Sequence, residues 1–230
     1  MKTIGILGGL GPQATTDFID RIHRVSQKLI PPKTNSGYPP LLVYYFRHAP
    51  MLLDERHMPI EPWKPDPRLF EAAKLLRGAD FLAIPSNAPH MFREGIETAA
   101  ETPILSIIDQ ALAEVERRGW KRVGVVGMGE PLVYTVPMKK KGLDCETLAS
   151  DPDLRSQLDV AILKVMEGGE GDAERALARK AIEHVRSKKV DGVILGCTEL
   201  PLLLGAAAEA SEFVNTTQVL AEAAVRRAIG

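Results

Sequence analysis

The sequence predicts an α/β protein made of two similar halves, each a mostly parallel sheet with helices on both faces. Three observations carry this. Short runs rich in Ile, Val and Leu alternate with longer stretches of helical period, the βαβ pattern that leads to parallel sheets. A run at the start of the chain and one near its middle each end in a glycine turn. Two segments of the first half reappear in the second.

The first run, 4–7, leads into Gly8-Gly9-Leu10-Gly11, and Pro12 then opens a helix over 12–29, where a missing N–H costs nothing in the first turn. Runs at 41–46, 81–85, 123–127 and 193–195 read as further buried strands. Helical period marks 67–76, 106–118, 154–166, 173–186 and 216–228, with Asp66 and Asn215 placed to cap the first and last of these. Segment 50–67 holds five prolines among Asp54, Glu55, Arg56 and His57. It cannot be a continuous helix or a central strand and is expected as a surface loop.

The internal similarity is the most informative feature. Thr3-Ile4-Gly5-Ile6-Leu7-Gly8-Gly9 resembles Arg122-Val123-Gly124-Val125-Val126-Gly127-Met128 at an offset of 119 (122 − 3). Ala79-Asp80-Phe81-Leu82-Ala83-Ile84-Pro85-Ser86-Asn87 resembles Val190-Asp191-Gly192-Val193-Ile194-Leu195-Gly196-Cys197-Thr198 at an offset of 111 (190 − 79). Ser86 and Cys197 therefore hold equivalent places beyond the carboxyl ends of strands, where open α/β sheets put their ligands.

Composition narrows the function. The 230 residues allow one large domain or two small lobes, and 45% apolar with 26% charged residues is ordinary for a globular protein. With 29 Lys+Arg against 30 Asp+Glu, charge-driven nucleic-acid binding is excluded. No apolar stretch approaches the roughly 20 residues of a membrane span. The opening residues run straight into a strand pattern without a signal sequence, so a cytoplasmic protein is expected. Two cysteines, Cys145 and Cys197, do not make a disulfide framework.

Gly9-Leu10-Gly11-Pro12-Gln13-Ala14 fits a dinucleotide fingerprint, but the second strand ends Tyr45-Phe46-Arg47-His48 without the acidic residue that binds a ribose. No nucleotide cofactor is expected. The glycines then make a tight turn, or N–H groups around Gly11, with Thr15 and Thr16, take the carboxylate of a small substrate. Cys197, in Gly196-Cys197-Thr198-Glu199-Leu200-Pro201, precedes an expected helix whose amino end favours thiolate, hence a base or nucleophile. The plain alternative is a small buried apolar residue. Cys145 reads as structural. Ser86-Asn87-Ala88-Pro89-His90 is either a ligand-binding loop, with His90 reaching the same site, or a simple turn. The five histidines lack metal-ligand spacing, so no metal is expected. Arg47 and Arg56 are cationic candidates for a substrate carboxylate, or solvent-facing arginines.

Taken together, Ile4-Gly5-Ile6-Leu7-Gly8-Gly9-Leu10-Gly11-Pro12 with Ala14-Thr15, Asp80 through Asn87, Val193 through Leu203, and Val214-Asn215-Thr216-Thr217 resemble the aspartate/glutamate racemase superfamily over nearly the whole chain. These are cofactor-independent amino-acid racemases with hydantoin racemase, maleate isomerase and arylmalonate decarboxylase relatives. The resemblance implies two α/β lobes, 1–104 plus 211–230 and 105–210, related by a pseudo-twofold axis, with the active site between them, no cofactor, and a homodimer. It also implies two cysteines flanking the substrate Cα, one removing a proton and the other delivering one. Cys197 matches one of them. The other falls at Ser86, where the family usually reads Cys-Asn-Thr and this chain reads Ser86-Asn87-Ala88. A serine hydroxyl ionises far less readily than a thiol of reference pKa about 8.5. Ser86 is therefore expected as a weak, water-assisted relay. Substrate contacts are implied at Gly11, Thr15, Arg47, Asn87, Ala88, Thr198 and Glu199, and Lys164 matches by position a residue that binds a side-chain carboxylate. The expected reaction is racemisation of an acidic or other α-amino acid. Single-cysteine decarboxylation or cis–trans isomerisation, and non-catalytic small-anion binding, are the competing readings.

Overall fold

Runs of two to five apolar residues bounded by glycine, proline or a charge are long enough for strands and too short for helices, and here they become the cores of two sheets. The computed structural model describes residues 1–32, 37–55 and 59–230. The first sheet comprises β1 (Ile4–Gly8), β2 (Leu41–Tyr45), β3 (Phe81–Ala83) and β4 (Ile104–Leu105); the second comprises β5 (Arg122–Val126), β6 (Asp144–Glu146), β7 (Gly192–Leu195) and β8 (Phe213–Asn215). Their spatial orders are β2-β1-β3-β4 and β6-β5-β7-β8, and every neighbouring pair is parallel. The second order is the first with each label advanced by four.

The repeat extends to the hydrogen-bond register. Ile4 pairs with Phe81 and Ile6 with Ala83 in the first sheet, Val123 with Gly192 and Val125 with Ile194 in the second. These pairs are displaced by 119 (123 − 4) on one strand and 111 (192 − 81) on the other. A one-residue slip would turn every side chain to the opposite face, so equal registers mean equal cores.

By its contacts the chain divides into two compact units, Met1–Ile107 with Leu220–Gly230, and Ile108–Val219. In the first, α1 (Pro12–Leu29), α2 (Pro67–Lys74) and α3 (Arg93–Ala100) flank the sheet, and Leu7, Leu69, Leu82, Ile84 and Ile96 share one core cluster. In the second, α4 (Ile107–Arg117), α5 (Leu132–Lys140), α6 (Pro152–Met166), α7 (Asp172–Arg186) and α8 (Leu200–Leu204) follow, and Leu158, Ile162, Ile182, Val193 and Leu195 form the corresponding cluster. Each such buried side chain contributes roughly 1.5–3 kcal/mol. The last helix, α9 (Thr216–Ile229), starts in the second unit and ends in the first.

The expected caps are present: Asp66 accepts the Arg68 N–H at 2.9 Å and Asn215 that of Gln218 at 3.2 Å. In the segment expected as a surface loop, the described residues make two isolated bridges. Met51 bridges Pro65 and Leu53 bridges Pro59 in antiparallel fashion, and the Leu52 N–H donates to Lys64 O at 2.9 Å. Arg56 and His57 lie outside the described residues. No element was expected at α3, β4, α5 or β8. β4 is two residues behind Pro103, and Pro137 lies inside α5, so neither leaves a readable period.

Candidate active site

In each sheet the first and third strands lie side by side while the chain leaves them toward opposite edges, and open α/β sheets place ligands beyond the carboxyl ends of strands at such a point. In the second unit this is the meeting of the turn after β5 with the turn after β7. A Cβ on Gly127 would lie 3.1 Å from the carbonyl carbon of Gly196, so only glycine lets the two backbones touch. The contact brings the Met128 N–H onto the Cys197 sulfur. Gly129, at φ +59°, donates its N–H to Asp159 Oδ1 at 2.8 Å, which pins the turn to α6.

Cys197, Thr198 and Glu199 form the other turn, closed by the Leu200 N–H on Cys197 O at 3.1 Å. The Cys197 thiol donates to Glu199 Oε2 at 3.0 Å, and the Thr198 hydroxyl reaches the same oxygen at 3.3 Å. Glu199 is 1% exposed, and its Oε1 is buried without a hydrogen-bond partner among the described residues. Cys197 is 8% exposed. The expected thiolate stabilisation is not found. Burial pushes the Cys197 thiol up, the neighbouring carboxylate pushes it further, and the N–H groups of Glu199 and Met128 only partly oppose this. The helix that follows has five residues, too short to supply much positive potential. Burial also raises Glu199, against the hydrogen bonds it accepts from Cys197 and Thr198. Tyr134 of α5, at the position equivalent to Thr15, is fully buried and pushed up by burial and by the charge on Cys197. Thr216 holds the end of β7 from α9, its hydroxyl donating to Leu195 O at 2.9 Å.

In the first unit the turn after β1 is Gly8 to Gly11. Gly9 sits at φ +80°, and a Cβ there would lie 2.8 Å from the Phe46 nitrogen. Thr15 is buried; its hydroxyl accepts the Gly9 N–H and donates to Gly11 O, both at 2.9 Å. It shapes the turn rather than offering itself to a ligand. Arg47 places Nη1 on Gly9 O at 2.8 Å and braces the same turn from outside. Gly11 is the N-cap of α1 and offers no side-chain cap, so the N–H groups of the first turn receive no capping hydrogen bond from it.

The turn after β3 carries Ser86. Asn87 is buried, Ala88 opens a short 3-10 turn (Ala88–Phe92), and Ser86 itself is half-buried. His90 accepts the Ile107 N–H on Nε2 at 3.3 Å, so Nδ1 carries the proton that meets Ser86 O at 3.0 Å. The imidazole buttresses the Ser86 main chain and is not aimed at its hydroxyl. Lys164 is bonded to Glu174 Oε1 at 2.7 Å, a pairing sequence reading missed because it spans α6 and α7. Cys145, on β6, is pushed up to about 12 by burial and by the charges of Glu130 and Glu146, and stays an unreactive thiol. Among the described residues no group of three or more His, Cys, Asp or Glu could hold a metal ion, and no helix is long and apolar enough to cross a membrane.

Against known proteins the chain is 27% identical to the broad specificity amino-acid racemase RacX of Bacillus subtilis (strain 168), over 96% of each. Its fold is that of an aspartate racemase homologue from Pyrococcus horikoshii OT3, at TM-score 0.72, 24% identity and full coverage of both chains. It is also that of the Picrophilus torridus aspartate racemase, at TM-score 0.74 and 20% identity over 99% of this chain and 94% of that one. The Asp/Glu/Hydantoin racemase family matches residues 7–224. That match spans nearly the whole chain, and this chain belongs to the Asp/Glu/Hydantoin racemase family.

Proposed function

We propose that the protein interconverts the enantiomers of an α-amino acid without pyridoxal phosphate or any other cofactor. Cys197 works on one face of the substrate Cα, and Ser86, or a water it holds, on the other. The observation that carries this reading is the equal register of the two sheets, which makes residues 86 and 197 the same position of a duplicated unit, one bearing a thiol and one a hydroxyl. As thiolate, Cys197 removes the Cα proton; as thiol, it returns one. Uncapped N–H groups at the start of α1, together with Asn87, Ala88 and Thr198, hold the carboxylate and amino group and stabilise the enolate-like charge that develops between the two transfers. The similarity to RacX favours breadth among substrates. Lys164 is already neutralised by Glu174 and Arg47 is engaged at Gly9, and both facts favour substrates without a distal carboxylate.

A homodimer in a reducing cytoplasm completes the reading. Both cysteines are free, and edge strand β2 exposes Leu42, Val43 and Tyr45. A second reading, decarboxylation or isomerisation by Cys197 alone, is favoured by one observation: His90 is bonded to the Ser86 carbonyl and does not activate the hydroxyl. Incubation in deuterated water with panels of L- and D-amino acids and substituted malonates separates them. Cα deuterium incorporation with inversion supports racemisation; carbon dioxide release from a malonate, without exchange of any amino acid, overturns it.

A further inference from the structure

A cysteine and a glutamate two residues apart would point to nearly opposite sides of a helix, but in the tight turn from Cys197 to Leu200 they converge. The thiol and Oε2 are 3.0 Å apart, and the Thr198 hydroxyl donates to the same oxygen. Glu199 is nearly as inaccessible as a core residue, and its second oxygen has no donor among the described residues. An ionised carboxylate in that setting lacks half of the hydrogen bonds it needs, and a thiolate beside it would set two like charges in contact away from water. Burial raises both groups accordingly. A lone Cys197 would be a poor base near neutral pH, which leaves open where its proton goes.

We propose that Cys197 and Glu199 form one acid–base unit that alternates between one proton and two, with Glu199 the positioning residue that receives the thiol proton when Cys197 becomes a base. In the one-proton form the proton moves from Sγ to Oε2 along the existing hydrogen bond, turning thiol and carboxylate into thiolate and carboxylic acid with no change in net charge. The thiolate takes the proton from Cα, the electron pair of the broken C–H bond stays on carbon, and the unit holds two protons. In the opposite direction the two-proton form gives its Sγ proton to the carbanion and returns to thiolate and carboxylic acid. Neither direction creates two adjacent anions, and the surplus proton leaves to solvent between turnovers. Among the described residues Tyr134 interacts with Cys197, and a charged group, Arg175, packs on the helix that follows Glu199. Tyr134 from α5 is raised by burial and stays neutral, and Arg175 from α7 is held by Leu203 O and Glu170.

The inference deepens the racemase reading and rests on it only for the destination of the proton. Because thiol–carboxylate and thiolate–carboxylic acid contain the same number of protons, the thiolate fraction is independent of pH once the first proton has left the pair. The test is the pH profile of Cys197 alkylation by iodoacetamide in a Cys145→Ala background, without substrate. Slopes are compared, so partial burial of the sulfur scales both proteins alike. The parent should level off below about pH 8 and stay flat to about pH 9. Glu199→Gln keeps the size and can hydrogen-bond the sulfur but cannot take its proton, so its rate should climb about tenfold per pH unit over that range. With an amino acid that the parent racemises, the same variant should lose roughly 10²-fold or more in kcat with KM little changed. A parent profile that climbs tenfold per unit without levelling overturns the proposal, whether or not the variant folds; so does a flat profile in Glu199→Gln. Failure of every amino acid to exchange would sink the racemase reading and leave the alkylation result standing.

Discussion

The two strand-end turns that carry Ser86 and Cys197 descend from one pattern and have been equipped differently. In the second unit the thiol donates to a buried carboxyl, and the neighbouring turn is tied by Gly129 to Asp159 on α6. In the first, the residue at position 86 is braced through its carbonyl by His90, and the neighbouring turn is tied from its own helix by Thr15 and from outside by Arg47. One unit carries a thiol hydrogen-bonded to a carboxyl, and the other a hydroxyl residue held by its main chain. A duplicated scaffold fixes where two equivalent residues sit on their strands, since sheet register is hard to alter. It does not fix their strengths, because each depends on a few side chains at the tip of a strand.

Removing the stronger member should have the largest effect. Cys197→Ala should lower Cα exchange by roughly 10³-fold or more while leaving thermal unfolding nearly unchanged, and Cys145→Ala should leave the rate within about twofold. Exchange measured by mass spectrometry in deuterated water decides it, and comparable losses in both variants would contradict the assignment of the thiol. Making the two members alike is the next largest. Ser86→Cys should raise racemisation by up to about 10² to 10⁴, chiefly in the direction whose first step takes the proton on the Ser86 side, so that initial rates from the two enantiomers move unequally. Equal rates before and after, in a folded variant, would mean that residue 86 does not face Cα.

The smallest effect separates the turns themselves. Gly9 is at φ +80° with the Phe46 backbone against it, whereas Met128 holds the equivalent place in the second unit. Gly9→Ala should therefore cost roughly 1–3 kcal/mol, and Met128→Ala well under 1 kcal/mol, read as the shift in urea midpoint. Similar shifts would show that the two turns are under the same constraint.

Much of the fold was legible because its signals are local or repeated. The glycines after β1 and β5, the first-turn proline of α1, the cap at Asp66 and the apolar runs of β1, β3, β5 and β7 each report on their own position, and the repeat supplied the pairing of residues 86 and 197. β4 and β8 escaped notice because two or three residues carry no period; they are strands only because β3 and β7 pair with them. The site was half legible. Cys197 stood out by its place, but its electrostatics were misread, since a strand-end position suggests exposure and a helix dipole while the structure supplies burial and a carboxylate. Arg47 and Thr15 look like ligands in sequence and turn out to brace Gly9, which only the approach of β2 and α1 to that turn reveals. Asp159 gave no sign at all, because its partner lies 30 residues away.

The discontinuity of the first unit bears on how the molecule comes into being. Its final stretch, Leu220–Gly230, supplies the Ala228 carbonyl that receives the Lys2 N–H at 2.8 Å and sets Arg227 over the Phe81 ring at 4.8 Å. On the ribosome residues 1–107 emerge well before residues 220–230, which belong to the same unit. The second unit is an uninterrupted stretch of chain and becomes complete sooner. Birth order and completion order are therefore inverted: the first sheet has all four strands by Leu105, yet its unit waits for Leu220–Gly230.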